Sequence, residues 1–327
     1  MKKNIIYIVI CSVLISSMEI NLKIAGASFN SIQLTFLRFL VGGLILLPFT
    51  IWSLKKRGLS LNARHWGIFA LNGLILVVVS MTFYQLGVDY TKASTVAVLF
   101  SSNPIFALIL SSLFLKEKLS RSLIISMILS VIGLIVIVNP INLTDPAGIT
   151  FAILGAMVFG LYSFVSKWAA MYKGINGMTM TAFSCIIGSL ELLVLIALTH
   201  VSFIKNEIMQ HPALASFKEI PVIHGLAWHD ILVLLLVGIG NTGIAFALYF
   251  VIMERSNLSM ASLPFFIKPA LAPIMAFFIL SETFTTNLVI GIIIILVGSV
   301  LTVYGNRLVS KPSDSLNHHR KSQINEY

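Results

Sequence analysis

Lys268 lies at the middle of an apolar run, residues 258–280, that reads LSMASLPFFIKPALAPIMAFFIL and carries no other charge. A run of that length crosses the hydrocarbon core of a bilayer, which needs roughly 20 residues. A lysine at its centre costs about 2.5–3.5 kcal/mol on insertion scales, so such residues face a cavity or a partner and point to a site. As an ammonium it can bind a carboxylate or phosphate; as a desolvated amine it can release a proton during transport. The structural alternative is a lysine held by a buried carboxylate, but the run lengths place no acidic residue at its depth. Pro269 follows and removes an N–H, which predicts an interruption of the helix beside the charge.

Further candidates sit in other runs. Asn103 precedes Pro104 as Lys268 precedes Pro269, and Asn241 lies midway along its run. Both can bond a polar substrate, or a neighbouring helix for about 0.6–2 kcal/mol. Tyr84, Tyr162 and Tyr249 can stack on a substrate or belong to an interfacial belt. Glu19 and Arg38 fall in the outer thirds of the first two runs. Their plain reading is an ion pair between adjacent helices; the functional one is a gating carboxylate that takes up protons. Glu191 is a possible third member of that coupling group. No catalytic constellation is expected, because H-E-x-x-H, G-x-S-x-G and Walker patterns are missing. Residues 238–243, GIGNTG, fit G-x-G-x-x-G, but an apolar span without a βαβ context points to close helix packing or a flexible point. His200, His211, His224 and His229 share one long connection at spacings that match no ligand pattern, so neither metal nor cofactor is expected.

These residues must be positioned by membrane helices. The 327-residue chain is 57% hydrophobic and 10% charged, which indicates a polytopic membrane protein. Ten apolar runs can be drawn, at about 4–24, 31–54, 65–86, 92–115, 121–139, 147–168, 177–199, 230–254, 258–280 and 287–306. The first lacks an A-x-A cleavage pattern and is long enough to span. Short connections make successive helices antiparallel neighbours. With the N-terminus inside, sixteen Lys and Arg fall on the inner side and four on the outer. That bias sets both termini in the cytoplasm of a cell-membrane protein. It also accounts for the net charge of +10 without a nucleic-acid partner. The partners expected are a small-molecule substrate and membrane lipids. Cys11 and Cys185 lie in apolar runs as packing residues.

An internal repeat is visible. An offset of 165 residues pairs Pro104 with Pro269, Glu117 with Glu282, Tyr84 with Tyr249, Gly73 with Gly238 and Asp89 with Glu254. Each unit holds five crossings, an odd number, so the second must be mounted upside down relative to the first. Inverted repeats of this kind carry their site near the midplane between the halves. The expected fold is therefore an all-α integral membrane protein, ten transmembrane helices arranged as two inverted five-helix repeats. Residues 1–143 form the first unit, 144–307 the second with a long extracellular loop at 200–230, and 308–327 a cytoplasmic tail.

The chain resembles the drug/metabolite transporter superfamily, EamA-type, over residues 4–307. The likeness rests on Leu37-Arg38-Phe39-Leu40 with Gly42-Gly43, Tyr90-Thr91-Lys92-Ala93-Ser94, Ser102-Asn103-Pro104 and Leu115-Lys116-Glu117-Lys118-Leu119. The second half repeats them as Leu258-Ser259-Met260-Ala261-Ser262, Lys268-Pro269 and Ser281-Glu282-Thr283-Phe284. It implies a self-sufficient monomer with a central cavity that exports small metabolites. Two features depart from the family: a long loop between the seventh and eighth helices, and a lysine at position 268. The reading that follows is a secondary transporter exporting a small polar metabolite, an amino acid or related carboxylate, by alternating access. A membrane-embedded enzyme and a receptor without transport are the alternatives.

Overall fold

In the computed structural model the described residues are 2–116, 121–141, 145–173, 175–203, 205, 217, 219–222, 228–255 and 258–309. Glu117, most of the connection between 200 and 230, and the tail from 310 onward lie outside them. The described chain is helical, without strands.

The helices are α1 Lys2–Ser16, α2 Met18–Ala25, α3 Ser31–Arg57, α4 Ala63–Gly73, α5 Met81–Tyr90, α6 Ala93–Phe100, α7 Asn103–Phe114, α8 Arg121–Val138, α9 Pro146–Lys173, α10 Gly177–Leu198, α11 Trp228–Leu235, α12 Ala245–Arg255, α13 Leu258–Leu280 and α14 Thr286–Val309. Among the described residues, seven helical rods are long and apolar enough to cross a membrane, and three shorter apolar helices accompany them. This is a multi-pass membrane protein.

Local chemistry sets the ends of the rods. The Asn30 side chain caps α3 by accepting from Ile32 N at 2.9 Å. Gly58 closes the same helix at φ 61, a left-handed conformation that favours glycine. Lys55, Lys56 and Arg57 fill its last turn, where the helix dipole favours cations. Within the rods, π-helical stretches at Leu74–Ser80 and Leu236–Ile244 interrupt the α geometry. Such wide turns recur at functional sites.

The packing pairs distant segments. Helix α8 lies along α14, α3 along α10, α5 along α9, and α1 along α12 and α13. The Leu74–Ser80 stretch rests on α10, and the Leu236–Ile244 stretch rests on α3. Small residues permit these approaches: a Cβ on Gly73 would lie 2.7 Å from Gly188 N, and one on Gly42 would lie 2.5 Å from the Thr242 methyl. The glycine-rich segment 238–243 is thus a packing surface, as its apolar context suggested.

One sequence expectation needs correction and another holds. Helix α13 runs unbroken from Leu258 to Leu280 with Pro264, Pro269 and Pro273 inside it. Neighbouring helices tolerate a proline in such a rod because it removes only one backbone bond and packing holds the axis. The run at 92–115 is, as expected, one apolar membrane-length rod, Ala93–Phe114, with α6 and α7 separated only by a turn at Ser101-Ser102.

Candidate functional site

Five elements converge on a buried polar cluster. Lys268 from α13 places its Nζ 2.6 Å from Glu19 Oε1 of α2. The two side chains are only 6% and 1% exposed. This overturns the expectation that no acidic residue shares the depth of Lys268. It also replaces the expected Glu19–Arg38 pair: among the described residues, Glu19 forms its ion pair with Lys268. Counting residues along straight rods set Glu19 in the outer third, whereas the packed helices bring it against Lys268, two residues after an interruption at Ser17, between α1 and α2.

Arg38 of α3 stands beside this pair, fully buried. Its guanidinium carbon lies 4.4 Å from the Phe39 ring centre and 5.8 Å from that of Tyr84. One nitrogen, Nη2, approaches the Met81 sulfur at 3.5 Å. The other two, Nε and Nη1, donate to nothing among the described residues. Tyr84 is also fully buried, and its hydroxyl faces the Glu19 carboxylate with Arg38 close by. The Lys268 ammonium sits 5.6 Å from the centre of the Phe100 ring, which packs on Tyr84 at 4.4 Å. Rings continue from Phe100 to Phe159 at 5.2 Å and on to Tyr162 at 5.2 Å. The cluster holds a lysine, an arginine and one carboxylate in a buried, partly aromatic setting.

The asparagines support the helix interruptions that shape this cluster. Pro104 has no N–H to offer the carbonyl of Phe100, four residues earlier. The Asn103 side chain supplies the missing donor, Nδ2 to Phe100 O at 2.7 Å. Asn241 acts at the interruption in the first rod. Its Nδ2 donates to Leu14 O and to Ser17 Oγ at 3.0 Å, and its Oδ1 accepts from Asn21 Nδ2 at 2.9 Å. Asn241 therefore fixes the turn immediately before Glu19.

The remaining candidates lie around the cluster. Tyr162 shares a 2.8 Å hydrogen bond with Thr181 Oγ1. Tyr249 packs edge-on against Phe265 at 5.5 Å. Glu191, on α10, is joined to neither Glu19 nor Arg38 by any ion pair among the described residues, and its Oε2 accepts no hydrogen bond there.

A second polar network closes the end of the molecule where α2, α5 and α13 finish. Glu282 reaches across to the start of α6. Its Oε1 accepts from Ala93 N at 2.7 Å, and its Oε2 from Ser94 N at 3.1 Å and Ser94 Oγ at 2.5 Å. Lys92, the N-cap position, makes no side-chain cap of its own, so a carboxylate from a distant segment satisfies the free amides and complements the dipole. Ser281, at φ 55, bends the chain so that Glu282 turns inward. Lys23 donates to the carbonyls of Val88, Asp89 and Thr91 at 2.6, 3.0 and 2.9 Å. Asp89 accepts from Ser31 Oγ and from Gln85 Nε2. Beside it an open pocket of about 400 Å³ is lined by Lys23, Tyr90, Thr91, Lys92, Asp145, Leu280 and Glu282.

Sequence reasoning did not single out Phe100 or the reach of Glu282 to α6. The first had a signal, since Phe100 stands one helical turn before Pro104. The second had none, because nothing local links residue 282 to residue 93.

This arrangement, charges buried among packed apolar helices, is that of a membrane carrier, and comparison with known proteins agrees. The EamA-like transporter family matches residues 2–139 and again 146–304. The chain belongs to that family. It is 33% identical over 316 residues to an uncharacterized transporter of Clostridium kluyveri, covering 94% of this chain and 95% of that one. An S-adenosylmethionine uptake transporter of Rickettsia bellii is 22% identical over 294 residues, 89% of this chain and 90% of that one. One solved crystal structure superposes with a TM-score of 0.61 at 16% identity over 95% of this chain and 99% of its own, a likeness of fold.

Proposed function

We propose that this protein is a secondary transporter that exports a small polar metabolite, an amino acid or related carboxylate, by alternating access. The observation that carries the proposal is the Lys268–Glu19 pair, buried in apolar helices and flanked by an Arg38 that lacks a carboxylate of its own. Intramembrane charges are expensive and mark substrate or ion pathways.

The architecture we propose is ten transmembrane helices in two inverted five-helix repeats, a monomer in the cell membrane with both termini cytoplasmic. Several observations support it. The family matches the chain twice, in tandem. Packing is reciprocal: α1 meets α12 and α13, while α9 meets α5 and α7. The π-helical stretches fall in equivalent rods. Lys116 and Ser281, 165 residues apart, take the same left-handed conformation at φ 54 and 55 just before Glu117 and Glu282. In this reading the Glu282 network closes the outer face, and the central cluster is occluded from it.

Transport is tested with purified protein in two assays. A thermal-stability screen across amino acids, organic acids, sugars and nucleobases finds the ligand through the mass-action rise in stability. Flux of that ligand in proteoliposomes should saturate and be lost in Lys268→Gln. Absence of saturable flux for every ligand that binds would leave a receptor without transport, or a membrane-embedded enzyme. The uptake named for the Rickettsia relative favours a second reading, import, and flux in vesicles of each protein orientation decides between them. An imposed pH gradient at fixed substrate gradient changes flux if protons are coupled.

A further inference from the structure

We infer that Arg38, rather than Lys268, is the group that recognises the ligand, and that the ligand carries net negative charge, a monocarboxylate being the simplest case. The inference rests on the transporter reading and gives that site its charge rule.

Lys268 is the more conspicuous cation in the sequence, but its charge is already spent on Glu19 at 2.6 Å. Although Glu19 lies within electrostatic reach of it, Arg38 closes no ion pair of its own among the described residues. Its side chain is completely buried, two of its three nitrogens donate to nothing among the described residues, and the third meets only a thioether. Phe39 and Tyr84 lie against it, and ring faces attract a cation without neutralising it. A buried charge left uncompensated is strongly unfavourable. Summed over Lys268, Glu19 and Arg38, the cluster carries one surplus positive charge. A guanidinium with free N–H donors matches a carboxylate in both charge and planar geometry. A singly charged anion entering here completes the Arg38 guanidinium and brings the site to neutrality. A cation would face a site that already repels it.

Charge-altering variants test the rule on full-length protein in detergent. The probes are benzoate and pyruvate, each against its neutral amide, read by the ligand-induced shift in unfolding temperature and its concentration dependence. The wild type should bind a carboxylate at least tenfold more tightly than the amide. Arg38→Gln should lose that preference, and Arg38→Lys should keep part of it. Glu19→Gln raises the surplus charge and should tighten carboxylate binding about fivefold or more. Ligand-free Arg38→Gln should unfold at or above the wild-type temperature, because an unneutralised charge has been removed.

Equal binding of carboxylate and amide to the wild type overturns the inference. So does an unchanged preference in Arg38→Gln, a loss of binding in Glu19→Gln, or a marked drop in the ligand-free stability of Arg38→Gln, which would make Arg38 a structural anchor. None of these outcomes touches the transporter reading, which fails separately if bound ligands show no saturable flux.

Discussion

The central cluster and the closing network at the α5–α6 end are built from the same side chains and solve opposite problems. Glu282 is surrounded by donors: two backbone amides and a hydroxyl occupy its oxygens. Lys23 gives hydrogen bonds to three carbonyls. Glu19 instead is shared: Lys268 pairs with it and Tyr84 and Arg38 face it, while among the described residues Arg38 closes no ion pair and leaves two nitrogens unused. Charged groups tied to backbone hold helix ends in place, and their energetic accounts are closed. Charged groups buried with unused hydrogen-bonding capacity are costly to maintain, and a ligand can repay that cost. The difference separates architecture from site more sharply than residue type does.

Four substitutions probe this contrast. The largest effect is expected at Lys268. In Lys268→Ala the Glu19 carboxylate loses its ion-pair partner in the interior, which should cost about 3–5 kcal/mol and abolish flux. The double variant Glu19→Gln/Lys268→Ala should recover most of the stability and none of the flux, as read by thermal unfolding and proteoliposome transport. Recovery of neither would mean the pair contributes nothing beyond packing.

Asn241→Ala comes next. It removes the donor to Leu14 O and Ser17 Oγ and should cost about 1–3 kcal/mol. Because it loosens the turn that aims Glu19, it should change ligand affinity without removing a charge. An unchanged ligand affinity would separate the turn from the site.

Glu282→Ala removes a helix cap, worth about 0.5–2 kcal/mol. Its main readout is access. A cysteine at Leu280, which lines the adjoining cavity, should react several-fold faster with a membrane-impermeant thiol reagent once the carboxylate is gone. Cys11 and Cys185 are fully buried and add little background. An unaltered labelling rate would remove Glu282 from any role in closing this end.

The smallest effect is expected for the solvent-exposed ion pair of Lys205 with Glu219 at 2.5 Å. Lys205→Ala should change stability by about 0–1 kcal/mol, less at high salt. A large loss would show that burial is a poor guide to which charges matter here.

Composition alone made this a helical membrane protein. The hydrocarbon phase forces every backbone group to bond within its own segment, so run length and hydropathy map directly onto helices. The 165-residue offset likewise marked Glu282 and Lys268 before any coordinates, and Asn103 and Asn241 drew notice as polar groups in apolar runs. What each of these residues does was not legible. Asn103 substitutes for an N–H that its neighbour lacks. Asn241 holds a turn in a rod more than 200 residues away in sequence. Glu19, placed by linear counting in another layer, meets Lys268 across the packing of α2 on α13. Depth along a straight helix is a local property, and the sequence encodes it. Which charges share a pocket depends on kinks and crossing points set by distant small residues, and only the packed helices decide it.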